Sequence, residues 1–281
     1  MNNTLTDRTI GHNTQPAWLL RLSRLGTLLS LAILSASAVL RLQTVLDAQG
    51  HAVSMLDPDV EYLVRLLHRL SATTVGLIAV TVLILSWRKR RTGLKVWTPA
   101  LCIACSVLLL ILIGPWTSGY LYGGITVLNV LGGMCMLTGF WWLSETIALS
   151  NQTQQAGLSA VAVKPALLRL MLHVASGAAT SAWFMYGIHW PVLVHLLTLV
   201  PLLALIGKKA GKPGTPVVVT TYAFAAGLAG GLQLLSGSVL LWQSQRTFGL
   251  SLLHAVSAYL LVLFLVSAWL RSSRVPASGN N

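Results

Sequence analysis

The sequence predicts an all-α polytopic membrane protein, with eight transmembrane helices arranged as two parallel-repeat four-helix bundles. Three observations lead there. Hydrophobic residues make up 55% of the 281-residue chain and charged residues only 9%. Apolar runs recur that reach the roughly 17–25 residues needed to cross a bilayer. Fifteen of the 19 Lys and Arg residues fall before, after or between alternate runs, so they collect on one side of the membrane. Each run is continuously apolar rather than alternating over short stretches, which selects helices over a barrel.

The first run, 18–43, follows a polar segment and carries Arg21 and Arg24 at its start, with Arg8 upstream. It is too long for a signal-peptide core and lacks a small-residue cleavage site, so it is expected to remain as the first span. The second, 61–87, is preceded by Asp57-Pro58, an Asp N-cap with proline at the first helical position. Arg88, Lys89, Arg90, Arg91 and Lys95 lead into the third, 96–114, and the fourth covers 121–148. The polar stretch NQTQQAGLSAVAVK (151–164) follows, and Lys164 and Arg169 open the fifth run, 166–187. The sixth spans 189–207, and Lys208, Lys209 and Lys212 separate it from the seventh, 216–241. The eighth, 247–270, ends at Arg271 and Arg274. This pattern puts both termini in the cytoplasm. The net charge of +13 therefore orients the chain in the lipid bilayer and is not a nucleic-acid footprint. Cys102, Cys105 and Cys135 fall inside spans, and the CxxC at 102–105 has no second pair, so these thiols read as small apolar packing.

The polar join divides the chain into an N-terminal half, 1–150, and a C-terminal half, 151–281. Each contains four spans, so both enter and leave on the same side, as in a repeat about an axis along the membrane normal. Four polar positions follow that repeat. His68 and Asn129 in the first half match His195 and His254 in the second, at offsets of 195 − 68 = 127 and 254 − 129 = 125. The surrounding similarity is faint: LLHRLSA (66–72) against LVHLLTL (193–199), and TVLNVLG (126–132) against SLLHAVS (251–257). All four lie about six to eight residues into an outside-to-inside span, roughly 10 Å below the outer interface. Histidine inside a bilayer is costly and marks function. Two neutral imidazoles on facing helices can hold a heme iron from both sides, and His195 with His254 forms such a pair. His12, His51, His173 and His189 fall outside this stratum and read as solvated or packed rings.

Arg41, Arg65, Arg69 and Arg246 depart from the cytoplasmic bias and sit near outer span ends, where guanidinium groups could pair with heme propionates or reach lipid phosphate. Four of the six acidic residues, Asp47, Asp57, Asp59 and Glu61, precede or open the second span. Glu61 lies two turns above His68, either as a catalytic carboxylate at a heme edge or as the i, i+4 partner of Arg65.

With these residues in place, the chain resembles the heme A synthase family, eight-span proteins that oxidize heme O to heme A for cytochrome oxidase. The resemblance rests on HRLSATTVGL (68–77), LQLLSG (232–237) followed by SLLHAVSAYLL (251–261), and ASAVLRL (36–42). It implies a heme b cofactor held in the C-terminal half by His195 and His254, and the placement of Arg65, Arg69 and Arg246 makes them the expected propionate partners. It also implies a heme O substrate received in the N-terminal half by His68, with Glu61 and Asn129 beside it. Heme O synthase and cytochrome oxidase assembly factors would be partners, in a bacterial cytoplasmic membrane; a homo-oligomer stays open. Three departures fall on the substrate half. Arg65 stands where the family has a glutamate, Asn129 stands where it has a second histidine, and the first outer loop lacks the cysteine pair of some members. Asn129 is a poor iron ligand, so a heme on His68 would keep an open face toward it. A b-type cytochrome for electron transfer and a non-catalytic heme-handling relative of the same fold are the alternatives.

Overall fold

The computed structural model describes residues 17–48, 56–88, 96–117, 123–150, 164–183, 190–210, 215–242 and 248–272. Among them are eight α-helices: α1 (Ala17–Ala48), α2 (Pro58–Arg88), α3 (Trp97–Ile113), α4 (Gly123–Ser150), α5 (Lys164–Trp183), α6 (Trp190–Ala210), α7 (Val217–Trp242) and α8 (Phe248–Ser272). No strand occurs among the described residues. Proline marks several starts, where a missing N–H costs nothing: Pro58 opens α2, Pro165 and Pro191 are second in α5 and α6, and Pro216 precedes α7. Asp57 caps α2 as expected, its Oδ1 accepting the Asp59 N–H at 2.9 Å. A 3₁₀ turn at Gly114–Trp116, with Pro115 inside it, ends α3.

Seven of these helices are long and apolar enough to cross a membrane, making the chain a multi-pass membrane protein by length and composition. The exception is α5. Its described residues carry Arg169 and then His173, Ser176 and Thr180, polar positions at i, i+3 and i+7 that share one face. Within that stripe His173 and Ser176 are buried, while residues 184–187 of the expected fifth span lie outside the described residues.

In the first half α1–α2, α2–α3, α3–α4 and α4–α1 pack as neighbours, leaving α2 and α4 diagonal. In the second half α5–α6, α6–α7 and α7–α8 pack in sequence, while α4 lies against both α5 and α8. The expected pair of equivalent bundles is therefore modified, because α4 completes the second half as well as the first. Its residues enter both cores: Phe140, Leu143 and Ile147 join Val75, Val82 and Ile103, while Met134 and Leu137 join Leu199, Leu202 and Leu261. Close approach comes from small residues, since a Cβ on Gly26 would stand 2.5 Å from the fully buried Phe140 ring. The three thiols behave otherwise than expected: Cys102, Cys105 and Cys135 are free and exposed on α3 and α4 rather than packed in the core.

Candidate functional site

α6 and α8 do not pack along each other, yet His195 and His254 meet across the space between them. Their ring centroids are 6.1 Å apart, with planes inclined at 63°. His195 is buried and His254 half-buried. Each ring is fixed by the neighbouring hairpin helix in the same way. His195 Nδ1 donates to the His173 carbonyl at 3.1 Å, with Ser176 Oγ 3.3 Å away. His254 Nδ1 donates to the Gln233 carbonyl at 3.0 Å, with Ser236 Oγ 3.2 Å away. A glycine makes room for each imidazole: a Cβ on Gly177 would stand 2.8 Å from His195 Cε1, and one on Gly237 would stand 3.0 Å from His254 Cε1.

The two supports form a second, shorter repeat. HVASG (173–177) on α5 and QLLSG (233–237) on α7 lie 60 residues apart, and the histidines they hold lie 254 − 195 = 59 apart. The α5–α6 and α7–α8 hairpins are two versions of one device, in which the odd helix supplies a carbonyl, a serine and a glycine and the even helix supplies an imidazole. Placing Nδ1–H on a backbone carbonyl fixes the tautomer and leaves the Nε2 lone pair for a ligand.

His173, expected as a solvated or packed ring, is packed, and its partner is His195, with centroids 4.1 Å apart and planes 11° apart. Its Nε2 lies 3.3 Å from Gln233 Oε1, and the Gln233 Nε2 lies 3.4 Å from His195 Nε2. Its Nδ1 lies 3.2 Å from Thr198 Oγ1, and that hydroxyl is 2.9 Å from the His195 carbonyl. His173 and Gln233 are thus site residues that depth along the span did not identify. The xxSG repeat was the signal that could have found them.

The chemistry of this set suits a heme iron. Metal–nitrogen bonds of about 2 Å, plus roughly 1 Å from nitrogen to ring centre, put two opposed imidazoles about 6 Å apart.

The first half is less closed. His68 is half-buried on α2 and lies within electrostatic reach of Arg41 and Arg69. From Pro58 to Thr74 no residue of α2 is buried, whereas Val75, Ile78, Ala79 and Val82 beyond are. Glu61, Val64, His68 and Ser71 are the less exposed stripe of that segment. Glu61 is engaged with Arg65, whose Nε donates to Oε1 at 2.8 Å on an exposed surface. Arg41 reaches Ser37 Oγ at 2.9 Å and faces Tyr259 of α8. Asn129 is half-buried on α4, the helix diagonal to α2. Arg246, His12, His51 and His189 lie outside the described residues.

No protein-family model matches the chain, and no curated protein matches it at a significant level.

Proposed function

We propose that the chain is a membrane oxidoreductase of the heme A synthase type, converting heme O to heme A by two oxidations of one heme methyl, with loss of water to leave the formyl group. In this reading the second half holds heme b between His195 and His254, and the first half takes heme O at His68. One observation carries the proposal: two imidazoles on diagonal helices, 6.1 Å apart, each with Nδ1 on a backbone carbonyl. When bound, heme b supplies one-electron transfer to the oxidation. The chain's own contribution is to orient both rings, keep each Nε2 unprotonated, and bury His195 while leaving His254 half-buried. Arg41 and Arg69 place positive charge beside His68, where the carboxylates of a substrate heme can be paired. The segment of α2 from Pro58 to Thr74, none of it buried, leaves His68 open on the side a substrate would enter in this reading.

The wider repeat supports this division. Trp141 Nε1 donates to Ser267 Oγ across 126 residues, and Glu145 pairs with Arg271 at 271 − 145 = 126. These offsets match those of the histidine and asparagine positions, so α4 and α8 meet in register, as helices flanking an axis along the membrane normal would.

A b-type cytochrome is the second reading, favoured by Glu61 being already paired with Arg65 rather than free for proton transfer. Heme extraction separates the two. Co-expressed with a heme O synthase, the chain is expected to yield heme A beside a low-spin heme b spectrum. Heme b without any heme A moves the assignment to the cytochrome, and a colourless protein removes both.

The glycine supports give an independent check. Gly237→Val pushes the His254 ring off its carbonyl and is expected to lose most of the bound heme. Gly231→Val, on the same helix with nothing within 4 Å of its Cβ position, should retain wild-type heme content. Equal heme in both variants would show that the glycine does not seat a ligand.

A further inference from the structure

We propose that His173 is a reserve axial ligand, able to take the place of His195 on the same iron. The inference rests on the heme reading of the His195–His254 pair and goes beyond it. The repeat makes His173 conspicuous: its counterpart on α7 is Gln233, so an imidazole stands where the other hairpin carries an amide. The stack of 4.1 Å and 11° makes the His173 and His195 rings near-parallel, so their exchange requires lateral displacement more than rotation. Both Nε2 atoms converge on one group, the Gln233 side-chain amide, at 3.3 and 3.4 Å. A ligand displacing that amide is in reach of either ring.

The tautomer required is also provided. His173 Nδ1–H can donate to Thr198 Oγ1 at 3.2 Å, while the Thr198 hydroxyl donates to the His195 carbonyl at 2.9 Å. This leaves His173 Nε2 unprotonated, just as the His173 carbonyl does for His195. With Nε2–H on Gln233 Oε1 instead, His173 is the resting spectator and Gln233 covers His195. The same partners serve both roles, and His254 stays the fixed ligand on the other side.

The test uses the full chain purified with its heme and reads absorption and electron paramagnetic resonance spectra. His173→Ala is expected to keep the wild-type low-spin spectrum. His195→Ala is expected to keep at least half the heme, still low-spin with two nitrogen ligands. The double variant His173→Ala/His195→Ala is expected to become high-spin or lose its heme. Added imidazole should return a high-spin double variant to low-spin and leave His195→Ala unchanged. A His195→Ala protein that is already high-spin, or is converted by imidazole, overturns the reserve ligand. If that variant does not accumulate, His195→Gln, which keeps a polar partner for Gln233, answers the same question. His254→Ala isolates the underlying reading: unchanged heme there refutes the ligand pair itself, independently of His173.

Discussion

Replacing His254 with Ala is expected to strip the chain of heme, with the heme-to-protein ratio falling at least about tenfold. A factor of ten corresponds to only about 1.4 kcal/mol, and a lost metal–ligand bond exceeds that. The effect is larger here than at His195 because the two sides of the site are unequal. His195 has His173 stacked on it at 4.1 Å, whereas the supports of His254 are the Gln233 carbonyl and the Ser236 hydroxyl, neither an iron ligand of comparable strength. Truncation also removes one of two side-chain donors to the buried Gln233 carbonyl, the Ser236 hydroxyl at 3.2 Å being the other. The measurement is the heme absorption of purified protein normalised to polypeptide. Added imidazole should partly restore the low-spin spectrum by filling the space of the ring. A ratio that matches wild type would show that His254 is not a ligand.

Much of the fold could be read from residues taken singly. Continuous apolar runs gave the helices to within a few residues, because in a bilayer each run must satisfy its own backbone. Asp57-Pro58 gave the start of α2, because capping is local chemistry. That His195 and His254 share one level could be read because depth along a helix follows from counting residues. What depth does not give is which helices are neighbours. His173 was discounted for its position along α5, and only the lateral packing of α5 on α6 brings its ring onto His195. Gln233 was invisible for the same reason, its relevance being a carbonyl and an amide presented to rings on two other helices. On the first half, sequence left Glu61 either catalytic or paired, and the structure places it with Arg65. The helix carrying His68 follows its expected course, but its function depends on what occupies the space beside an unburied segment, which neither composition nor spacing encodes.

The same limit applies to Glu145, the one acidic residue inside an expected span away from the outer cluster, and it gives the second large effect. Its carboxylate is buried on α4 and lies 2.9 Å from Arg271 Nη2 of α8, whose guanidinium also sits 4.9 Å from the centre of the Tyr222 ring. Trp141–Ser267 and the Trp142–Trp269 ring contact at 6.0 Å join the same two helices one turn away. Breaking a buried pair by removing one partner leaves an uncompensated charge, so Glu145→Ala is expected to destabilise the protein by about 3 kcal/mol. Arg271→Ala should cost at least as much, because it strands the more buried partner of the pair. The matching double variant Glu145→Ala/Arg271→Ala removes both charges and should lose clearly less than the two single losses added together. Thermal unfolding in detergent for the four proteins gives the coupling. Additive losses would mean that the two groups do not act as a pair. Coupling would place a charged clasp at the end of the α4–α8 contact away from Asn129 and His254, holding together the helices that carry them. Heme content should then fall in Glu145→Ala and fall little further in the double variant, since the clasp acts on the spacing of the helices and not on the iron.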